Sequence, residues 1–274
     1  MPVDVEAVVM SNTRLSDDYN VLALAARDLA AAARPGQFVM VKASAGTDPL
    51  LRRPFSVFQI LRDADRQPTG FTLLNKRIGR GTGLLFEAAS GACVSCLGPL
   101  GRPFETLAPP AEAWMVAGGV GLAPFVTLAE ALRSLGTPTT LFYGARTAGE
   151  LFFVEEFERL GVRVILTTED GSRGEHGRVT VPLERALARG SALAHLYACG
   201  PTPMMRAVAR LAAAHRRPCD VSLEQVMGCG LGGCYSCVVP VRGDDGRPHF
   251  VRSCLGGPVF DAHKVVWEEL GASA

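Results

Sequence analysis

Cys229, Cys234 and Cys237 form a C-x4-C-x2-C run, with Cys254 further along the chain. Plant-type loops use this spacing to ligate a [2Fe–2S] cluster, four thiolates closing round two irons. The glycines at 228, 230, 232 and 233 suit the same task. A loop wrapped round a cluster needs unusual φ values and must bring its N–H groups close to sulfur. Structural zinc competes for such ligands, but zinc ribbons usually carry two close Cys pairs, and here only Cys234 and Cys237 form one. Cys93 and Cys96 share C-x-x-C spacing in a strand-like run with no second pair in view, so they read as small buried residues, as does Cys219. His249 reads as a surface residue, because a His-ligated cluster would need two histidines.

Three glycine-bearing segments suggest a second chemistry. Gly118-Gly119-Val120-Gly121-Leu122-Ala123-Pro124 follows an apolar run and opens a helical pattern. Glycines there let backbone approach a phosphate, and the helix start supplies unpaired N–H donors. The pattern departs from G-x-G-x-x-G, and such loops also serve as plain connections. Tyr143-Gly144-Ala145-Arg146 and Cys199-Gly200-Pro201 would fall on the same sheet edge and strengthen the case for a nucleotide crevice. Earlier in the chain, Arg52-Arg53-Pro54-Phe55-Ser56 sets two guanidiniums beside a hydroxyl, a pairing that suits pyrophosphate as well as an exposed basic turn. Gly79-Arg80-Gly81-Thr82 offers another anion cradle.

These groups need elements to hold them. Up to about residue 105 the apolar runs are short and broken by Pro and Gly (37–41, 55–61, 70–74 and 93–97), which reads as an antiparallel β-barrel or sandwich. Residues 21–33 are ambiguous, their Ala-rich composition favouring helix and their flanks favouring strand. From residue 113 strand-like runs at 114–117, 139–143, 162–168 and 195–198 alternate with helical patterns, which implies a parallel sheet with helical crossovers. The last stretch is glycine- and cysteine-rich and too short for a large core without a metal staple. The expected organisation is an antiparallel β-barrel over 1–107, an α/β nucleotide domain over 108–216, and a small [2Fe–2S] domain over 217–274.

Composition narrows the partners. Lys plus Arg number 28 against 27 Asp plus Glu, so a net charge of +1 gives no electrostatic case for nucleic acid. No apolar run reaches the roughly 18 residues that cross a bilayer, and the N-terminus shows no basic and apolar leader pattern, so the expectation is a cytoplasmic protein with no membrane association. Eight cysteines in that compartment point to metal ligation rather than disulfides.

Taken in order, the motifs resemble the ferredoxin–NADP reductase superfamily, and within it the electron-transfer subunits of two-subunit, NAD-linked dihydroorotate dehydrogenases, over essentially the whole chain. Arg53-Pro54-Phe55-Ser56 is similar to the flavin motif R-P-x-S, Gly98-Pro99-Leu100-Gly101 to G-P-x-G, and residues 118–124 to the nicotinamide-side loop. Glu169-Asp170-Gly171-Ser172, Cys199-Gly200-Pro201, the cluster segment and Gly257-Pro258-Val259-Phe260 also match. The resemblance implies FAD in the barrel, with Arg53 on its pyrophosphate, Ser56 near the flavin, and Leu74, Asn75, Lys76, Gly81 and Thr82 along the remainder. It implies NAD(H) against Gly119, Gly121, Ala123, Pro124, Asp170, Cys199, Gly200 and Pro201. The family commonly has Tyr where this chain has Asn75, and D-G-P where it has Gly256-Gly257-Pro258.

The chemistry implied is that of an adaptor, because nicotinamide exchanges a hydride, an iron–sulfur centre passes single electrons, and a flavin does both. No acid–base pair or metabolite pocket stands out, so no catalytic residue is assigned. The resemblance implies a hetero-oligomer, a heterotetramer, with an FMN-containing dihydroorotate dehydrogenase catalytic subunit in pyrimidine biosynthesis, electrons running from dihydroorotate through FMN, [2Fe–2S] and FAD to NAD⁺. NAD(H) is expected over NADP(H), because a 2′-phosphate needs cationic partners and Arg146 has Glu150 four residues on; Arg173 and Arg178 lie at unknown distance. Two alternatives stay open: the small subunit of an electron-bifurcating NADH-dependent ferredoxin–NADP⁺ oxidoreductase, and a zinc-stapled nucleotide-sensing regulatory module. A visible spectrum separates the last from the others.

Overall fold

The structure, a computed structural model, describes residues 1–44, 46–190 and 193–270. Its first sheet is antiparallel. Strands β1 (Val3–Arg14), β2 (Tyr19–Ala25), β3 (Phe38–Lys42), β4 (Arg53–Ser56), β5 (Gln59–Arg62), β6 (Pro68–Lys76) and β7 (Cys93–Leu100) pair in the order β4-β3-β7-β1-β2-β6-β5. β4 also lies against β6, so the sheet curls toward a barrel with no ladder between those two strands. Helices α1 (Arg27–Ala32) and α2 (Arg80–Phe86) cover its openings.

Residues 21–33 turn out to be both of the elements their composition suggested. Leu22 and Leu24 alternate into the core along β2, and after Ala26 the chain makes the short helix α1, which buries Leu29 and Ala30. The run 55–61 is two strands rather than one. The chain turns a corner at Val57 and Phe58, both buried, whose N–H groups donate to the carbonyls of Gln37 and Thr72. β1 has no continuous apolar run, yet it is central in the sheet, with Ala7 and Val9 facing the core while Glu6 and Val8 face out.

The second sheet contains β8 (Glu112–Gly118), β9 (Thr139–Ala145), β10 (Arg163–Thr168), β11 (Glu175–His176), β12 (Ala194–Cys199) and β13 (Cys219–Ser222), all parallel. Helices α3 (Phe125–Ser134), α4 (Val154–Arg159), α5 (Thr180–Arg189) and α6 (Thr202–Ala214) make the crossovers. β8 shows why both faces are covered: Ala113, Met115 and Ala117 enter one core, and Trp114 and Val116 enter the other. The strand order β11-β10-β9-β8-β12-β13 places consecutive strands on opposite sides of β8, so the C-terminal ends of β8 and β12 flank a topological switch point.

The rest of the chain forms a hairpin of β14 (Val238–Arg242) and β15 (Pro248–Arg252), the short helix α7 (Ser253–Gly256), and β16 (Val259–Asp261), which pairs antiparallel with β13. β13 and β16 both come from the stretch read as a third unit, and both extend the nucleotide-type sheet. Only the loop and hairpin between them stand outside it. That loop rests on the barrel: Met227, Cys237 and Cys254 share a core with Phe38, Met40, Leu97 and Leu100. Among the described residues no helix is long and apolar enough to cross a membrane.

Candidate functional site

The cluster-type cysteines form two close pairs. Cys237 Sγ receives the Cys254 N–H at 3.5 Å, and the thiols of Cys229 and Cys234 lie near enough to influence each other, as do those of Cys237 and Cys254. No three potential ligands converge as for a single metal ion among the described residues. Two neighbouring pairs of thiols fit the four-thiolate donor set of a [2Fe–2S] cluster. The loop is shaped for the purpose. Leu231 N–H donates to Cys229 Sγ at 3.3 Å, and Ser236 Oγ sits 3.1 Å from Cys234 Sγ while accepting from Gly228 N–H. Ser236 is the chief reason the exposed Cys234 thiol is lowered to about 6. Gly230 needs its positive φ, and a Cβ there would meet Met40 Cγ at 2.6 Å, so the loop lies flat on the barrel.

The same face joins two motifs far apart in sequence. Arg102 N–H donates to Gly257 carbonyl, and a Cβ on Gly101 would meet Pro258 at 2.5 Å. The G-P-x-G turn closing β7 is therefore the seat for Gly257-Pro258 after the last cysteine.

In the barrel the two arginines separate. Arg52 is engaged by Asp4 at 2.7 Å and Ser95 at 2.8 Å, which makes it a brace. Arg53 is exposed and has no ion pair among the described residues; its guanidinium donates to the carbonyls of Leu51 and Arg52. Gly81 lies beside it, where a Cβ would stand 3.6 Å from Arg53 Cγ, and a Cβ on Gly79 or Gly83 would meet nothing within 4 Å. That is an open, cation-edged cradle fitting a dinucleotide's phosphates. Pro54, Phe55 and Ser56 line up along β4, partly buried and paired with β3.

Thr82 and Asn75 occupy this region with their polar atoms turned inward. Thr82 Oγ1 accepts from Ile78 and Gly79 N–H, closing its own loop. Asn75 is fully buried and donates to Asn20 and to the Thr82 carbonyl; Asn20 donates to Asn12, and Asn12 to carbonyls at the end of α2. This asparagine ladder fixes α2 on the barrel, and it leaves Asn75 Oδ1 as a buried acceptor with no protein partner. Leu74 is buried on β6, and Lys76 Nζ lies 5.0 Å over the Tyr19 ring.

The nucleotide-type crevice has a volume of about 650 Å³ and opens at the switch point. Gly119, Gly200 and Pro201 line it, with Gly144, Thr167 and Met204. Gly121, Ala123 and Pro124 lie buried behind that wall, Gly121 against the Cys199 carbonyl, and Cys199 itself is buried, its thiol pushed well above the usual range by desolvation. Asp170 is in the turn after β10, where it accepts from Ser172 N–H and Oγ; its neighbour Glu169 lines the crevice instead. Arg146 is held by Glu150, Nη2 to Oε1 at 2.5 Å.

Several lining residues were not legible in the sequence. Tyr19 and Lys76 reach the crevice from the barrel, and Tyr19 OH contacts Glu150 at 3.4 Å. Glu224 is recessed among protein atoms although water reaches it, and desolvation raises its carboxyl above the ordinary range. An isolated acid directly after an apolar strand was the available signal for Glu224. Tyr19 and Lys76 are placed there only by the docking of the two domains.

Known proteins share these features. An oxidoreductase NAD-binding domain model matches residues 115–210, and the iron–sulfur cluster binding domain of dihydroorotate dehydrogenase B matches residues 224–266. The chain is 40% identical to the dihydroorotate dehydrogenase B (NAD⁺) electron transfer subunit of Geobacillus kaustophilus (strain HTA426), over 94% of this chain and 96% of that protein. It is 38% identical to the subunit of the same name from Desulforamulus reducens (strain ATCC BAA-1160 / DSM 100696 / MI-1), over 89% and 90%. A solved chain of the NADH-dependent reduced ferredoxin–NADP oxidoreductase superposes with a TM-score of 0.84 at 30% identity, covering 97% of this chain and 91% of that one.

Proposed function

The chain belongs to the family of dihydroorotate dehydrogenase B electron transfer subunits, and on that premise we propose that it carries electrons from a dihydroorotate-oxidising, FMN-bearing partner subunit to NAD⁺ in pyrimidine biosynthesis. The observation that carries this reading is the contact order of its three sites. The paired cysteines lie on the barrel at Met40 and Leu100, and the barrel in turn supplies Tyr19 and Lys76 to the crevice. When bound, FAD exchanges a hydride with nicotinamide and single electrons with a [2Fe–2S] cluster, which suits the position between them.

The residues then have distinct tasks. Cys229, Cys234, Cys237 and Cys254 would hold the cluster and supply its four thiolates. Arg53 and the open glycines of the α2 loop bind the FAD phosphates, while Ser56 and residues 74–76 and 81–82 shape the rest of that site. Gly119, Gly200 and Pro201 bring backbone against the nicotinamide nucleotide, and Gly121, Ala123, Pro124 and Cys199 set the position of that wall. The three units keep the bounds 1–107, 108–216 and 217–274, the third anchored in the second through β13 and β16. Eight free thiols fit a cytoplasmic location.

Two outcomes follow. Arg53→Ala removes a charged donor that contributes about 1.5–3 kcal/mol, so flavin dissociation after dialysis rises by roughly tenfold or more. Flavin retention equal to the parent would leave Arg53 as a brace for its own turn. In steady-state assays the chain alone reduces artificial acceptors with NADH, uses NADPH less well because Glu150 already engages Arg146, and ignores dihydroorotate. Turnover of dihydroorotate by the chain alone would refute the division of labour. A kcat/KM for NADPH equal to or above that for NADH would favour the bifurcating oxidoreductase reading, to which the 0.84 superposition also lends weight.

A further inference from the structure

Arg252 ends β15, opposite Val238 in the hairpin register and two residues before Cys254. Its side chain turns away from the hairpin to the cysteine loop. Nη1 donates to the Gly232 carbonyl at 2.8 Å, and the guanidinium carbon lies 4.7 Å from the centre of the Tyr235 ring. Gly232 and Tyr235 bracket Cys234, and both hold positive φ angles, +81° and +57°. Gly232 also packs on α7, where a Cβ would meet Leu255 Cδ1 at 2.5 Å. One arginine therefore pins both sides of the exposed cysteine.

The charge on this arginine is unmatched. Arg252 is only partly exposed, and it has no ion pair with any carboxylate among the described residues. A partly desolvated guanidinium without a counter-ion is unfavourable unless negative charge comes to it. Two ferric ions, two sulfides and four thiolates sum to two negative charges, and one added electron makes three. A fixed cation held on the residues that bracket Cys234 favours the added electron.

We propose that Arg252 is a positioning residue that locks the Cys229–Cys234 loop and, by its charge, sets the reduction potential of the cluster upward. The inference rests on the cluster assignment proposed above and adds to it a determinant outside the ligands. The carbonyl contact and the charge are separable: Gln keeps an N–H donor for Gly232 but is neutral, whereas Lys keeps the charge but loses the planar fork and the ring contact.

The test is a dithionite titration with redox mediators on the purified holoprotein, following the reduced cluster by electron paramagnetic resonance, for the parent, Arg252→Gln and Arg252→Lys. Iron and acid-labile sulfide are measured first. The expected result is that Arg252→Gln retains the cluster and becomes roughly tenfold harder to reduce, about 59 mV for a one-electron couple, while Arg252→Lys recovers most of that difference. Loss of the cluster in Gln but not in Lys supports the same role of charge. An unchanged potential in Arg252→Gln, equal shifts in both variants, or cluster loss in both overturns it. A parent without iron and sulfide would instead defeat the cluster assignment, a result distinct from all of these.

Discussion

Cys234→Ser is expected to reduce iron and acid-labile sulfide in the purified protein to background while FAD content and NADH-driven reduction of artificial acceptors stay at parental levels. The position makes this the cleanest of the four substitutions. Cys237 and Cys254 are buried in the core that joins the loop to the barrel, so replacing either one mixes lost ligation with lost packing. Cys234 is exposed, and its neighbours are Ser236 and Cys229. Serine preserves its size and hydrogen bonding but supplies a hard oxygen in place of a soft thiolate, the ligand iron–sulfur centres use. Removing one of the four thiolates would leave the donor set incomplete, and affinity that depends on a complete set collapses. Cys93→Ser is the matched control and should keep the full content: of the C-x-x-C pair read as buried only Cys96 is so, while Cys93 stands at the exposed end of β7. If Cys234→Ser kept parental iron and sulfide, the pairing of thiols would have another purpose. With a partner subunit present, the same variant should stop dihydroorotate-dependent NAD⁺ reduction while leaving the NADH reaction of the chain intact.

What the sequence made legible follows from how local each constraint is. The proposed cysteine ligands are specified by residue type and short spacing, and the parallel strands by apolar runs between helical patterns, so both are readable one segment at a time. Arg252 meets Gly232 across 20 positions, and Asn75 meets Asn20 across 55, so no window of sequence contains either contact. Thr82 and Asn75 show a related limit. The resemblance implies a place for both along the flavin site, yet their polar atoms are engaged within the protein, because a short helix on a barrel must be tied down by side chains. The third unit was delimited by composition, which changes near residue 217, whereas strand pairing follows register. β13 and β16 answer to the sheet although their surroundings are glycine- and cysteine-rich.

That anchoring couples the sites mechanically. β12 ends at Cys199 beside the crevice and pairs with β13, β13 pairs with β16, and the turn before β16 holds Arg102 at the end of the barrel. Relative movement of the nucleotide wall and the cluster loop would break this continuous hydrogen-bonded path. Fixed spacing between centres is what a carrier of single electrons needs, and here it is built from backbone rather than from side chains.

Gly121→Ala strikes the centre of that wall. A Cβ at this position would lie 2.2 Å from the Cys199 carbonyl oxygen, 2.4 Å from its carbon and 2.6 Å from Gly200 Cα. All three are backbone atoms, so no rotamer change relieves the contact. The turn between β8 and α3, which holds Gly121, and the end of β12 must part, and that turn and the one after β12 carry Gly119 and Gly200, which line the crevice. Overpacking of this kind costs about 1–3 kcal/mol of stability, and a displacement near 1 Å in a binding wall can lower turnover by roughly a hundredfold. The expected variant therefore folds with a lower Tm and shows kcat/KM for NADH reduced by about two orders of magnitude, while flavin and cluster contents remain those of the parent because the barrel and cysteine loop are untouched. Gly136→Ala gives the contrast: its Cβ would meet nothing within 4 Å, and its φ of +74° confines the cost to backbone strain at an exposed turn remote from the crevice lining. It should lose some stability and keep its NADH kinetics. Parental NADH kinetics in Gly121→Ala would mean that the close approach of the β8–α3 turn to the end of β12 does not define the nucleotide site.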